Sequence, residues 1–227
     1  MPSSAYNVFR NNLLNDVDML IQKHHELRTG SRGRHNLGYL TRSALFLLCA
    51  GWEYYIELVC RDFLEMIIKN KALVKSHANT KKFLTIYVKN QTDDDFIVQF
   101  VQHGWEKCFR DALELRLSQF NTPKYYAIKK LFYEVFGIEI SNAIDAKHRH
   151  LIDGFVTKRG EIAHQGAKAT YPTINQVIRY RNAVCTYIMS IDEYLALQGR
   201  TIYHKQAWCK ISKATRIQDY RTPKSKS

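Results

Sequence analysis

The sequence is poor in the residues that staple, loop or thread a chain. Among 227 residues there are only 4 Pro and 10 Gly, which excludes collagen-like and linker-dominated chains. The five cysteines (Cys49, Cys60, Cys108, Cys185 and Cys209) lie far apart and form no Cys-x-x-Cys pair. Their odd number and wide spacing argue against a disulfide framework or a cysteine zinc site, and for a reduced, intracellular setting. Long apolar runs are also missing. The longest surrounds Ala44 to Trp52 and is broken by Gly51, well short of the roughly 18 residues a membrane span needs. The first thirty residues mix Arg, Asn, Asp and Lys among the apolar positions, which excludes a signal-peptide core. The expectation is a protein of a bacterial or archaeal cytoplasm with no membrane partner.

Several catalytic signatures are absent too. Neither GxxxxGK[ST] nor GxGxxG occurs, and Gly30, Gly33 and Gly38 have the wrong spacing for a phosphate loop. There is no HExxH and no serine nucleophile elbow. The run Lys147-His148-Arg149-His150 contains one His-x-His, whose rings would point about 200° apart on a helix. It reads as a solvated basic face, so no metal or other cofactor is expected.

What is present is positive charge, unevenly spread. The net charge is +13. Residues 200–227 hold eight Lys or Arg against one Asp, so over half of the excess sits in the last eighth of the chain. This divides the sequence into a mildly basic body, 1–199, and a basic C-terminal extension, 200–227. The extension reads equally as an RNA-gripping arm or as a solubilising tail or contact for an acidic partner.

Helical periodicity fills the body. Val8, Leu13, Val17, Leu20, Ile21 and Leu27 form one apolar stripe, and Leu45, Leu48, Trp52, Ile56, Val59 and Phe63 form another on a long helix from about Tyr39 to Lys75. The glycine-rich segment 29–38 separates them, and Gly51 is a candidate kink. Residues 80–90 are compatible with a short strand or a helical turn. Asp93 to Asp95 suit the positive start of a further helix, with Gly104 as its weak point. Thr122-Pro123 predicts a helix start, with Thr as N-cap and Pro at the first position, and Gly137 its end. Two more helices are expected, from Ala143 to Ala163 closed by Gly166, and from Pro172 to Gln198. The fold class is all-α, about six helices, with no βα alternation to support a doubly wound nucleotide fold.

One segment carries chemistry. In LIDGFVTKRGEIAHQG, residues 151–166, Arg159 and His164 stand five apart near a helix end. Arg offers a permanent planar cation that matches phosphate oxygens, and His can exchange a proton near neutral pH. In RNA the 2′-hydroxyl is a built-in nucleophile, so such a pair can act without metal. Spacing alone does not decide this. With 15 Arg and 9 His, one Arg-x4-His arises about 0.6 times by chance, and both side chains also suit a plain helix C-terminus.

The whole phrase resembles the signature of HEPN-domain proteins, with Arg159 and His164 on the family's Arg-x4–6-His pair, Ile162-Ala163 on its apolar positions and Gly166 near its closing glycine. Leu45 to Glu53, with the Trp52-Glu53 pair, and Asn121-Thr122-Pro123 through Leu131 to Phe136-Gly137 are similar to two further segments of the RiboL-PSP-HEPN branch. The resemblance implies an α-helical bundle that dimerises and, in active members, cleaves RNA without metal in a cleft shared by two protomers. It implies Arg159 on the scissile phosphate and His164 as general base or acid, giving a 2′,3′-cyclic phosphate and a 5′-hydroxyl. It also implies a role as toxin or effector in prokaryotic antiviral defence or a toxin–antitoxin system, with an antitoxin or sensor protein as controlling partner. The alternative is a non-catalytic HEPN dimer that binds RNA or protein. It is kept open by Gly160, which stands where the family commonly has a polar residue, four before His164 on the same helix face.

Glu53 reads either as one half of a structural ion pair, with Arg42 or Arg159, or as a carboxylate that orients the Arg–His pair. Lys158, Arg179 and Arg181 are candidates for an RNA groove, or else solvated faces. Trp105, Tyr125 and Tyr126 read as packing residues rather than base-stacking platforms. A DNA-binding regulator fits less well, since no helix-turn-helix is visible.

Overall fold

The computed structural model describes residues 1–28, 37–71, 77–91, 94–146, 149–165 and 170–221. Expectations resting on Gly30, Gly33, Asp93, Lys147, His148 and Gly166 fall outside these residues.

The described residues form helices joined by turns and loops, with no strand among them. The first stripe forms one rod: α1 (Ser4–Val8), a π-helical turn (Phe9–Leu13) and α2 (Leu14–Leu27) follow without a break. Its start is capped twice. The Ser3 hydroxyl accepts from the Tyr6 amide at 3.0 Å, and Asp62 accepts from the Ala5 amide at 2.9 Å. The second stripe forms α3 (Gly38–Lys69), the central helix. It is long and apolar enough by length and composition to cross a membrane. Its apolar side chains are buried against the N-terminal rod, α7 and α8, and a helix apolar over most of its surface is a core helix when surrounded in this way. Gly51 brings no kink. It admits the π turn, because a Cβ there would stand 3.3 Å from Phe9 Cε2 and 3.4 Å from Leu13 Cβ.

Residues 80–90 are helix rather than strand, within α4 (Ala78–Lys89). Its start is capped by His77, whose ring accepts from the Asn79 amide at 3.2 Å. In α5 (Asp94–Ser118) Gly104 breaks the helix, at φ 70° and ψ −170°. α6 (Tyr125–Phe136) ends, as expected, at Gly137 in the left-handed conformation. A short 3₁₀ turn (Ile140–Asn142) precedes α7 (Arg149–Gln165), which therefore begins later than the apolar pattern suggested. α8 (Ile174–Tyr203) starts with a reciprocal Thr173–Gln176 capping box, which sets its start past Pro172.

The charge-based boundary at Gly199 falls inside α8, and the segment beyond it folds back. Trp208, Ile211 and Ile217 are buried in the same core. The Trp208 indole donates to the Asp192 carbonyl at 2.9 Å, and the Tyr6 hydroxyl donates to the Thr215 carbonyl at 2.7 Å while accepting from the Ile217 amide. The described part of the extension is thus a strap across α8 and the N-terminal rod.

Under this strap Asp192 is fully buried and accepts from the Ser3 hydroxyl and amide. Burial, with the nearby Asp62 charge adding to it, pushes its carboxyl up to about 7. The folded protein therefore holds a proton there that the unfolded chain releases near pH 4. Stability falls as pH rises from about 4 through 7, by on the order of 4 kcal/mol. Thermal melts across that window should show this fall, and Asp192→Asn should flatten it.

Candidate active site

α7 runs alongside α3, with Ile152, Phe155, Val156 and Ile162 buried and Arg159, Ala163 and His164 on the outside. A cleft of about 410 Å³ opens between α7, α3 and the segment before α6. α7 contributes Arg159, Gly160 and His164, α3 contributes Cys49 and Glu53, and the other wall is Asn121-Thr122-Pro123-Lys124. Three stretches that are remote in sequence therefore meet in one place.

Two hydrogen bonds, one buried and one partly buried, hold the walls together. Trp52, fully buried and stacked on Tyr55, donates its indole N–H to the Pro123 carbonyl at 3.0 Å. Asp153, one and a half turns before Arg159, accepts from the Tyr125 amide at 2.9 Å. This corrects the expected Thr122 cap. Lys124 occupies the N-cap position with no side-chain cap, and the orphan amide of α6 is satisfied from α7 instead. Tertiary contact replaces the local signal.

The guanidinium of Arg159 lies 5.4 Å over the ring of Phe46 and is otherwise exposed. His164 is exposed at the last turn of α7. Glu53 is half-buried. Burial raises its carboxyl above the usual range, the Glu57 charge adds to this, and Arg159 opposes it. Glu53 and Arg159 sense each other's charge without a direct ion pair. Arg42 is engaged elsewhere, donating to the Tyr171 hydroxyl at 3.4 Å and standing 5.0 Å over its ring. Cys49 is buried, and desolvation pushes its thiol up to about 11, which leaves it inert as a nucleophile. At Gly160 an added Cβ would meet nothing within 4 Å, so the missing side chain leaves open space beside His164.

The structure thus brings Arg159, His164 and Glu53 into one cleft and leaves the other candidates outside it. Arg181 is a correction. It is only 4% exposed, with its guanidinium paired to Asp18 at 2.8 Å and donating to the Gln218 carbonyl at 2.6 Å. Its charge fastens the strap, and no RNA can reach it. Lys158 is paired with Glu161 at 2.9 Å, and Arg179 is exposed on α8 without lining the cleft. Tyr125 is buried and Trp105 packs against the core, but Tyr126 is 73% exposed and packs on nothing extensive. Lys124 and Asp153 are the residues sequence reasoning missed. The first was hidden because the sequence put the cap at Thr122, and Lys124 takes the N-cap position only in the structure. Nothing local marked the second.

A RiboL-PSP-HEPN family model matches residues 9–197, which takes in all three stretches that line the cleft. No curated protein and no solved structure matches the chain. Because that match spans most of the sequence, and because the chain is an all-α bundle, the protein belongs to the RiboL-PSP-HEPN family.

Proposed function

We propose that this chain is a metal-independent endoribonuclease, working as a homodimeric toxin or effector in prokaryotic antiviral defence or a toxin–antitoxin system. The observation that carries the reading is the convergence of Arg159, His164 and Glu53 in one cleft. In the reaction the RNA 2′-oxygen attacks the adjacent phosphorus, and the bond to the 5′-oxygen breaks. His164 takes the 2′-proton or supplies one to the leaving 5′-oxygen. Arg159 carries the charge that builds on the phosphoryl oxygens. The products are a 2′,3′-cyclic phosphate and a 5′-hydroxyl. Glu53, whose carboxyl burial raises above its ordinary value, orients the pair from α3. RNA cleaved in EDTA should end in cyclic phosphate, and RNA with 2′-O-methyl groups throughout should stay intact. Cleavage of the methylated strand would defeat the mechanism.

The dimer reading is supported by an exposed apolar stripe beside the cleft. Leu47 is 42% exposed and Met19 59% exposed, and Leu47 also borders the shallow hollow formed by Phe46, Ile162 and Ala163. A second copy seated there would bring two α7 ends together. Leu47→Glu, at an exposed position, should convert a dimer to a monomer in sedimentation and lower cleavage at least about tenfold. A wild type that sediments as a monomer at all concentrations would remove the shared site.

Gly160 favours the second reading, a dimer that binds RNA without turnover, since it carries no side chain of its own to support His164 and an added Cβ would meet nothing within 4 Å. Protein that retains RNA in a salt-dependent way and never cuts it would establish that reading.

A further inference from the structure

The wall facing α7 carries a cation that neither the fold nor the proposed reaction uses. Lys124 lines the cleft and is half-buried, with its backbone held on three sides. Its own amide donates to the Thr122 carbonyl at 2.8 Å, Trp52 fixes the Pro123 carbonyl, and Asp153 fixes the Tyr125 amide. A loop pinned in this way presents its side chains in a set place before any ligand arrives.

The local chemistry is unfavourable for a lysine. It stands at the N-cap of α6, where Ser, Thr, Asn or Asp normally accepts a backbone hydrogen bond, and no such bond is made. It stands at the positive end of the helix, whose own first turn holds no acidic residue, and the carboxylate there, Asp153 of α7, is bonded to the Tyr125 amide rather than to the lysine. A local rule broken beside a cleft is a mark of function.

The charges in the cleft point the same way. Glu161 is paired with Lys158 at 2.9 Å, and Glu53, whose carboxyl burial raises above its ordinary value, senses Arg159 without a direct ion pair. Among the described residues, Lys124 and Arg159 make no ion pair, so two cations stand on facing walls without a bonded carboxylate. The space between them, about 410 Å³, is at the small end of ligand-sized cavities. Asn121 and Thr122 add polar groups on the Lys124 side.

We propose that Lys124, with Asn121 and Thr122, binds a second phosphate of the nucleic-acid strand, adjacent to the phosphate held at Arg159. The assignment of Arg159 to the scissile phosphate rests on the ribonuclease reading, but the second anion site does not. The site takes a strand with at least two successive phosphates, and a dinucleoside monophosphate leaves Lys124 idle.

The test uses full-length protein in two arms. In the binding arm, a fluorescent, uncleavable 2′-O-methyl RNA oligomer is titrated across salt. Lys124→Met should reduce the slope of log K against log salt by about 0.7, and Lys124→Arg should restore it. In the cleavage arm, Lys124→Met should lower kcat/KM on an RNA oligomer about tenfold and leave cleavage of a dinucleoside monophosphate unchanged. Equal salt slopes for wild type and Lys124→Met would overturn the site, as would equal losses on the two substrates. If the wild type cleaves neither substrate, the ribonuclease reading fails by itself, and the salt slope alone still decides the phosphate site.

Discussion

His164→Ala should abolish measurable RNA cleavage in EDTA, a loss of about 10²–10⁴-fold for a single proton-transfer group. His164 is exposed at the end of α7, so its removal opens no cavity and should leave melting unchanged. The loss would therefore be chemical. Arg159→Ala should cost about 10²–10³-fold, because the charge developing on the phosphoryl oxygens loses the guanidinium that lines the cleft. The double variant should be little worse than either single one, since the two act on one transition state. Equal cleavage by wild type and His164→Ala would remove the site assignment. RNA binding retained by both variants alongside lost turnover would separate chemistry from recognition.

Truncation after Gly199 should leave protein that is insoluble or unfolded. The charge count made this segment look detachable, whereas its apolar residues anchor it. Trp208 packs edge-on against Phe63 with ring centroids 6.2 Å apart, and Ile211 and Ile217 are buried beside it. Trp208→Ala alone should cost about 3–5 kcal/mol in denaturant unfolding. Removing the whole strap also strands Tyr6 and the buried Arg181, whose partners include the Thr215 and Gln218 carbonyls. The sum rivals the roughly 5–15 kcal/mol net stability of an ordinary domain. By contrast, replacing the exposed Lys205, Lys210 and Lys213 with Gln should change stability by less than about 0.5 kcal/mol. A truncated protein that melts like the full chain would show that the strap carries no stability.

These contrasts mark what was readable in the chain. Periodicity placed the long helices well, because α3 and α8 bury one continuous apolar side each and the pattern follows from that. Gly104 and Gly137 were readable because glycine takes a positive φ at the least cost. Residues 80–90 were ambiguous since their alternation was masked by β-branched and aromatic residues, and packing settled them as helix. The start of α6 was misread because its cap comes from Asp153, 28 residues away in sequence. Arg181 looked like a groove cation for the same reason, as its acceptors lie 163 and 37 residues distant. The Arg159–His164 pair was legible only through the whole phrase around it, and Lys124 was invisible until its neighbours in space were known.

The Asp153 bond has a mechanical consequence. It fastens α7 to the opposite wall at one point, like the rivet of a pair of tongs. Arg159 lies about 9 Å along the helix from that rivet and His164 about 16 Å. Any rocking of α7 therefore moves the histidine nearly twice as far as the arginine. The arginine is thus tied more closely to the opposite wall than the histidine, which stands at the freer end of the helix.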